Sequence, residues 1–219
     1  IDNPRAFAAS NWLASVKLLL KDGYRNFLFV DMGSTTTDLI PVTEKIEAQK
    51  TDYERLKAGD LVYFGVLRTP VFYILKEFNG APLCPEYFAI MADVFRVTED
   101  INSEDYSCET PDGKGKDVES CLRRLARTIC SDLEELGYEN VCELANIAKH
   151  KMIETLANEI RKKIEKYNLD IVLACGVGEF IIEEACARAN VRVSKLSEIY
   201  GEYSKLFPAY AMLRLIEKH

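Results

Sequence analysis

None of the seven cysteines (Cys84, Cys108, Cys121, Cys130, Cys142, Cys175 and Cys186) belongs to a C-x-x-C pair. They are odd in number and scattered. This gives neither a zinc signature nor a disulfide framework, and favours a reducing cytoplasm. Basic charge is also short. Asp and Glu number 35 against 28 Lys and Arg, for a net charge of −7. No basic stripe is present to attract nucleic acid or an anionic membrane. No apolar run reaches membrane-spanning length, and no signal peptide opens the chain. Histidine is limited to His150, which reads as a surface residue of a long helix rather than a base, and the terminal His219.

What is present suits an ordinary globular chain, 48% hydrophobic and 29% charged over 219 residues, with ample core. It opens on Ile1 rather than methionine, so a processed or truncated piece is expected. Asp2-Asn3-Pro4 predicts a helix start, with Phe7, Leu13, Val16 and Leu20 on one face, Trp12 off that row and a stop at Gly23.

Three parts follow. Residues 1–80 read as an α/β core: helix, strand, turn, strand, a polar solvated link carrying Glu44, Glu47 and Asp52, then a strand over 61–66. Residues 84–167 read as mostly helical. A short helix is expected over 86–94, a capped helix from Asp117 to Leu136 closed by Gly137, and a long amphipathic helix over 141–167. Residues 168–219 return to α/β, with a strand over 171–174, a glycine turn, a helix over 180–189, a strand over 191–193 and a closing helix from Ala209.

The most informative segment is residues 27–42, FLFVDMGSTTTDLIPV. An apolar run ends in Asp31, a turn of Gly33, Ser34, Thr35, Thr36 and Thr37 follows, and a second run leaves through Asp38. The flanking β-branched and aromatic residues predict a hairpin. No lysine sits in the turn and no helix pattern follows it, which excludes a Walker A loop. Hydroxyls and amides could cradle a phosphate there, with Asp31 and Asp38 holding a hydrated divalent cation. A plain polar hairpin is equally compatible with the turn. A second glycine site, Cys175-Gly176-Val177-Gly178-Glu179, follows a buried-type strand and opens a helix. It reads either as a ligand turn or as a tight strand-to-helix connection.

An acid-flanked hairpin early and a G-x-G turn late resemble the actin-like ATPase and sugar-kinase superfamily. There the hairpin is the second phosphate loop and the G-x-G turn the adenosine loop. Within it, Asp31-Met32-Gly33-Ser34-Thr35-Thr36-Thr37-Asp38 resembles the hydantoinase/oxoprolinase family. Residues 8–12, 63–71, 106–113 and 124–132 resemble an archaeal branch of that family engaged in methanofuran biosynthesis. The resemblance implies a ribonuclease-H-like (actin-like ATPase) α/β fold with a mostly helical insertion at about 84–167. The family's first phosphate loop has no counterpart here, so an N-terminal half-domain of roughly 100 residues is expected to be missing.

The resemblance also implies a transferase. It would condense an aminomethylfuran-methyl diphosphate with the phenol of γ-glutamyltyramine and release diphosphate. Asp31 and Arg68 would be catalytic and residues 33–37 would bind diphosphate. Asp31 and Asp38 would place Mg²⁺. Gly176, Gly178, Arg124 and Arg127 would bind nucleotide or substrate. Arg68 could otherwise be a solvated arginine, and Arg124 with Arg127 a surface pair on one helix face. Among the cysteines, which otherwise read as small core residues, Cys175 stands out for its place before the glycine turn. Two alternatives use the same loops: ATP-dependent chemistry, as in a small-molecule kinase or a hydantoinase/oxoprolinase-type hydrolase, and nucleotide binding without turnover. The implied partners are small molecules bearing a diphosphate and a phenol, with no nucleic acid and no membrane; an oligomer is compatible.

Overall fold

The computed structural model describes residues 11–216. The helix start expected at Asp2-Asn3-Pro4, Phe7, residues 8–10 and His219 lie outside the described residues. The chain forms two compact units: Ile1–Tyr63 with Leu156–His219, and Phe64–Thr155.

The first unit is built on a five-stranded sheet. Strands β1 (Phe27–Met32), β2 (Thr37–Val42) and β3 (Leu61–Val62) run antiparallel in sequence. Strand β6 (Ile171–Cys175) lies parallel to β1 on its other side, and β7 (Val193–Lys195) parallel to β6. The spatial order is β3-β2-β1-β6-β7. β4 and β5 belong to the second unit, described below. Central strands of this kind are covered on both faces, which explains why β1 is an almost continuous apolar run.

Period-2 alternation splits its side chains. Phe27 and Phe29, with Ile40, Val42, Leu173 and Cys175, join a core that includes Trp12, Val16, Leu19 and Phe207. Those last residues come from helix α1 (Asn11–Lys21) and from the closing helix Phe207–Ile216. Leu28, Val30, Val172 and Ala174 point the other way, toward the helix Glu179–Ala189, which packs on β6 and β1. The buried residues of α1 include Trp12, Ser15, Val16 and Leu19 at helical spacing, with Leu18 beside them. Leu13 and Leu20, expected on that row, lie at its margins, and Trp12, expected off the row, is in it. The row shifts because the sheet offers it Phe27 and Phe29 to pack on.

Other expectations give way to local chemistry. The polar link contains helix α2 (Asp52–Ala58), capped by Thr51, whose hydroxyl accepts from the Glu54 N–H and donates to its carboxylate. The strand expected over 61–66 stops at Val62, since Thr69 Oγ1 accepts from the Gly65 N–H at 2.8 Å and donates to the Gly65 carbonyl at 3.0 Å.

The second unit holds the short helix α3 (Val71–Ile74), the small ribbon β4 (Glu77–Phe78) and β5 (Ala81–Pro82), and α4 (Met91–Val97). It continues with α5 (Val118–Arg127) and α6 (Leu133–Leu136). The helix expected over 86–94 starts only at Met91, where the Asp93 carboxylate accepts from the Ile90 N–H. Asp117 caps α5 as expected, but the helix ends at Arg127. The backbone turns out at Cys130, with φ 58°, and Asp132 caps a new helix. Helix α7 (Tyr138–Tyr167) runs on from there; Leu144, Ala148, Met152, Leu156 and Ile160 along its apolar stripe are fully buried. After β6 come α8 (Glu179–Ala189), α9 (Leu196–Tyr200), a 3₁₀ turn (Gly201–Leu206) and α10 (Phe207–Ile216). No described helix is long and apolar enough to cross a membrane.

Arg124 organises the second unit. Its side chain is fully buried, and its guanidinium donates to Asp93 Oδ1 from Nε at 2.9 Å and from Nη2 at 2.7 Å. It also reaches Asp112 Oδ1 at 3.0 Å and the Gly115 carbonyl at 3.0 Å. Tyr106 donates to Asp93 Oδ1 at 3.0 Å. Arg124 is therefore not half of a surface pair: its guanidinium is buried and makes these hydrogen bonds inside the unit. Arg124→Ala would strand Asp93 as a buried, uncompensated charge, costing about 3–5 kcal/mol. Urea unfolding of this variant should show that loss; a loss below about 1 kcal/mol would contradict the assignment.

Candidate functional site

The hairpin forms as the sequence predicts. Asp31 faces Asp38 and Met32 faces Thr37 across β1 and β2. The Gly33 N–H donates to the Thr36 carbonyl at 2.9 Å and closes the turn. Gly33, Ser34, Thr35 and Thr36 are all partly exposed, whereas Thr37 is buried. The Gly33 amide is thus spent inside the turn. An added Cβ there meets only the Thr36 carbonyl, at 3.6 Å.

The parallel pairing of β1 with β6 sets Asp31 beside Cys175 and carries the glycine turn to the end of the hairpin. The Gly178 N–H donates to the Met32 carbonyl at 2.9 Å. Gly176 has φ 92°, and a Cβ there would come within 2.5 Å of both Asp31 Oδ1 and the Met32 carbonyl oxygen. Both sequence-predicted loops therefore stand side by side at the C-terminal ends of the central strands β1 and β6, where open α/β folds gather ligands.

Two acids facing each other across a ladder repel, and the protein treats them differently. Asp38 is ion-paired with Arg55, a side chain 3% exposed that also pairs with Asp52 at 2.9 Å and lies over the Trp12 ring at 5.1 Å. Asp52, expected in a solvated link, is exposed and also pairs with Arg55. Among the described residues Asp31 has no such cation. Burial first, then the Asp38 charge, push its carboxyl up to about 7, against a smaller opposing effect of the Cys175 thiol hydrogen bond. A further buried pair, Asp60 with Lys163, stands next to this group; Asp60 accepts from the Gln49 N–H at 2.8 Å, and its carbonyl accepts from the Leu39 N–H at 2.8 Å.

Beside the glycine turn lies a recess of about 280 Å³, lined in part by Gly176, Val177, Glu179, Ser197, Ser204 and Lys205. The Glu179 carboxylate accepts from the Ser197 N–H at 3.0 Å, the Ser197 hydroxyl and the Ser204 hydroxyl at 2.8 Å. The Gly176 N–H donates to the Ser204 carbonyl at 3.0 Å. Glu179 was legible as the residue closing the G-x-G turn. Ser197 and Ser204 carry no motif: the first sits in the opening turn of α9 and the second in the 3₁₀ turn that follows it.

The predicted arginines lie in the other unit. Arg68 is exposed on a turn, not past a strand, and its charge is felt by Tyr87 and Cys108. Arg127 pairs with Asp112 at 3.0 Å. His150 is exposed. Among the described residues no group of three or more His, Cys, Asp and Glu side chains forms a metal cage.

The sequence pattern of the hydantoinase/oxoprolinase family matches residues 1–217. The chain belongs to that family. It is 41% identical over 217 residues to the (4-{4-[2-(γ-L-glutamylamino)ethyl]phenoxymethyl}furan-2-yl)methanamine synthase of Methanocaldococcus jannaschii, a match covering 96% of this chain and 65% of the relative. It is 34% identical over 203 residues to the synthase of the same name from Methanococcus vannielii, covering 88% of this chain and 91% of that one. The chain thus spans about two thirds of the first relative's length and most of the second's. Among solved structures, nucleotide-free acetone carboxylase superimposes with a TM-score of 0.56 at 14% identity, over 92% of this chain and 31% of that one. The fold is the ribonuclease-H-like, actin-like ATPase type.

The two glycines should respond oppositely to alanine. Gly33→Ala should keep stability within about 1 kcal/mol, while Gly176→Ala should lose more, through strain at positive φ and the clash with Asp31; thermal melts of both variants would decide it. Asp31 predicts a pH signature in the metal-free chain. A carboxyl whose folded-state pKa is raised stabilises fully below the ordinary 3.8, and that contribution is lost as pH climbs to about 7. The stability of the wild type relative to Asp31→Asn should therefore fall across that window and level off above it. A difference independent of pH, from urea titrations between about pH 4 and pH 8, would contradict the raised pKa.

Proposed function

We propose that this chain carries the diphosphate site of a transferase that joins an aminomethylfuran-methyl diphosphate to the phenol of γ-glutamyltyramine. The observation that carries the reading is the 41% identity, across 96% of the chain, to a synthase whose name describes a phenol oxygen joined to a methylene on a furan. The chemistry follows from that bond. The phenol oxygen attacks the methylene carbon and gives its proton to a substrate phosphate oxygen or a carboxylate, the carbon–oxygen bond to diphosphate breaks, and diphosphate leaves with the electron pair. The barrier then depends on stabilising negative charge on the leaving group.

The turn after β1 suits that task. Ser34, Thr35 and Thr36 offer hydroxyls at its open tip, and Gly33 admits the ligand closely. Asp31 fits a hydrated Mg²⁺, which takes one or two carboxylates plus substrate phosphates rather than a protein cage. When bound, the ion would neutralise charge on the diphosphate. Asp38 is held by Arg55, so its part would be to fix the hairpin and the local field rather than to face the ion directly. The scattered free cysteines support a reducing, cytoplasmic setting.

A second reading has its own support in the recess beside Gly176 and Gly178, where a nucleotide would fit an ATP-dependent kinase or hydrolase. The two separate in one experiment. The protein is incubated with γ-glutamyltyramine and the furan diphosphate, with and without ATP, and products are read by mass spectrometry. A coupled ether and free diphosphate without ATP support the transferase; ADP release with no ether overturns it. In that assay Asp31→Ala should lower the rate by ~10²–10³ without loss of fold by circular dichroism. Wild-type rate in Asp31→Ala would refute its role.

A further inference from the structure

Two of the cysteines converge although they lie far apart in sequence. Cys84 follows the β4–β5 ribbon and Cys130 follows α5, and their Sγ atoms are 3.1 Å apart. The approach is held by the backbone: the Cys84 N–H donates to the Thr128 carbonyl at 2.7 Å, two residues before Cys130. Cys130 is exposed and sits in the turn at φ 58°, with its own N–H donating to the Arg127 carbonyl at 3.0 Å. Cys84 is partly buried, and its hydrogen bond with Cys130 raises its thiol above the ordinary value. Cys108, Cys121, Cys175 and Cys186 are buried, and Cys142 is partly buried on α7.

We propose that Cys84 and Cys130 are a redox modification site that closes to a disulfide by exchange with a low-molecular-weight disulfide. The exposed Cys130 thiolate attacks one sulfur of the small disulfide. A mixed disulfide forms, the small S–S bond breaks, and one thiolate leaves. The Cys84 thiolate then attacks Cys130 Sγ, the protein S–S bond forms, and the second small thiolate leaves. Two protein thiols are oxidised, one small disulfide is reduced to two thiols, and the two protons end on those thiols or in solvent. The small adjustment needed is a side-chain rotation, because the backbone bond already holds the two segments together. The closed bond would tie the segment leading into α4 to the end of α5, the two helices joined inside by Asp93 and Arg124.

The test uses the 219-residue chain equilibrated with oxidised glutathione or with excess dithiothreitol. Thiol titration and peptide mapping should show two thiols lost in the oxidised sample, as one intramolecular bond between the peptides of Cys84 and Cys130. Closing a loop of this length should raise Tm by on the order of 10 °C, and dithiothreitol should reverse it. Cys84→Ser should instead trap a glutathione adduct on Cys130 without the Tm rise. Cys142→Ser, as a control, should behave as wild type. Seven titratable thiols after oxidation, a bond between other cysteines, or only a glutathione adduct on Cys130 of the wild type would each overturn the proposal.

Discussion

Two carboxylates opposed across an antiparallel ladder set the terms for the rest of the sheet unit. The register that pairs Asp31 with Asp38 is fixed by apolar side chains on both faces of β1, and a slip of one residue would turn Phe27 and Phe29 out of their core. The repulsion must therefore be met in place. Arg55 meets half of it by neutralising Asp38 from α2, and Trp12 and Asp52 hold Arg55 in turn. The other half is left on Asp31, whose carboxyl is pushed up to about 7 by burial first and by the Asp38 charge second. A cation or a hydrogen-bonding substrate would relieve it. The site is thus poised by what the fold withholds from Asp31.

Much of this arrangement is legible in the amino-acid sequence. The hairpin can be read because its pattern is local: apolar alternation, a run of small turn residues and an acid at each edge. The glycine turn can be read for the same reason, since Gly176 closes a strand that is apolar throughout. Whatever depends on distant partners is hidden. Arg124 shares a helix face with Arg127, and nothing in residues 118–127 says that one meets Asp93 inside while the other stays half-exposed. Arg55 looks like one charge in a polar link. Only its position under the hairpin makes it the partner of Asp38. The recess around Glu179 needs a 3₁₀ turn that no periodicity announces.

The family membership and the geometry bear on different questions. Relatives at 41% and 34% identity support a chemistry. The geometry says which atoms of this chain could serve it: the hydroxyls of Ser34, Thr35 and Thr36, the Asp31 carboxylate, and the space beside Gly176.

The order of strands in the sheet also has a consequence for how the chain reaches its fold. Phe27 pairs with Ile171, and the whole of Phe64–Thr155 is synthesised between them. During synthesis the hairpin of β1 and β2 emerges early, with one long edge and no neighbour on it, until β6 leaves the ribosome. Pairings this remote in sequence form slowly, and an unpaired apolar edge is prone to join other chains. The intervening unit has its own buried network in Asp93, Arg124 and Tyr106 and can settle meanwhile. Yield during expression should therefore be governed less by final stability than by how long β1 waits for its partner.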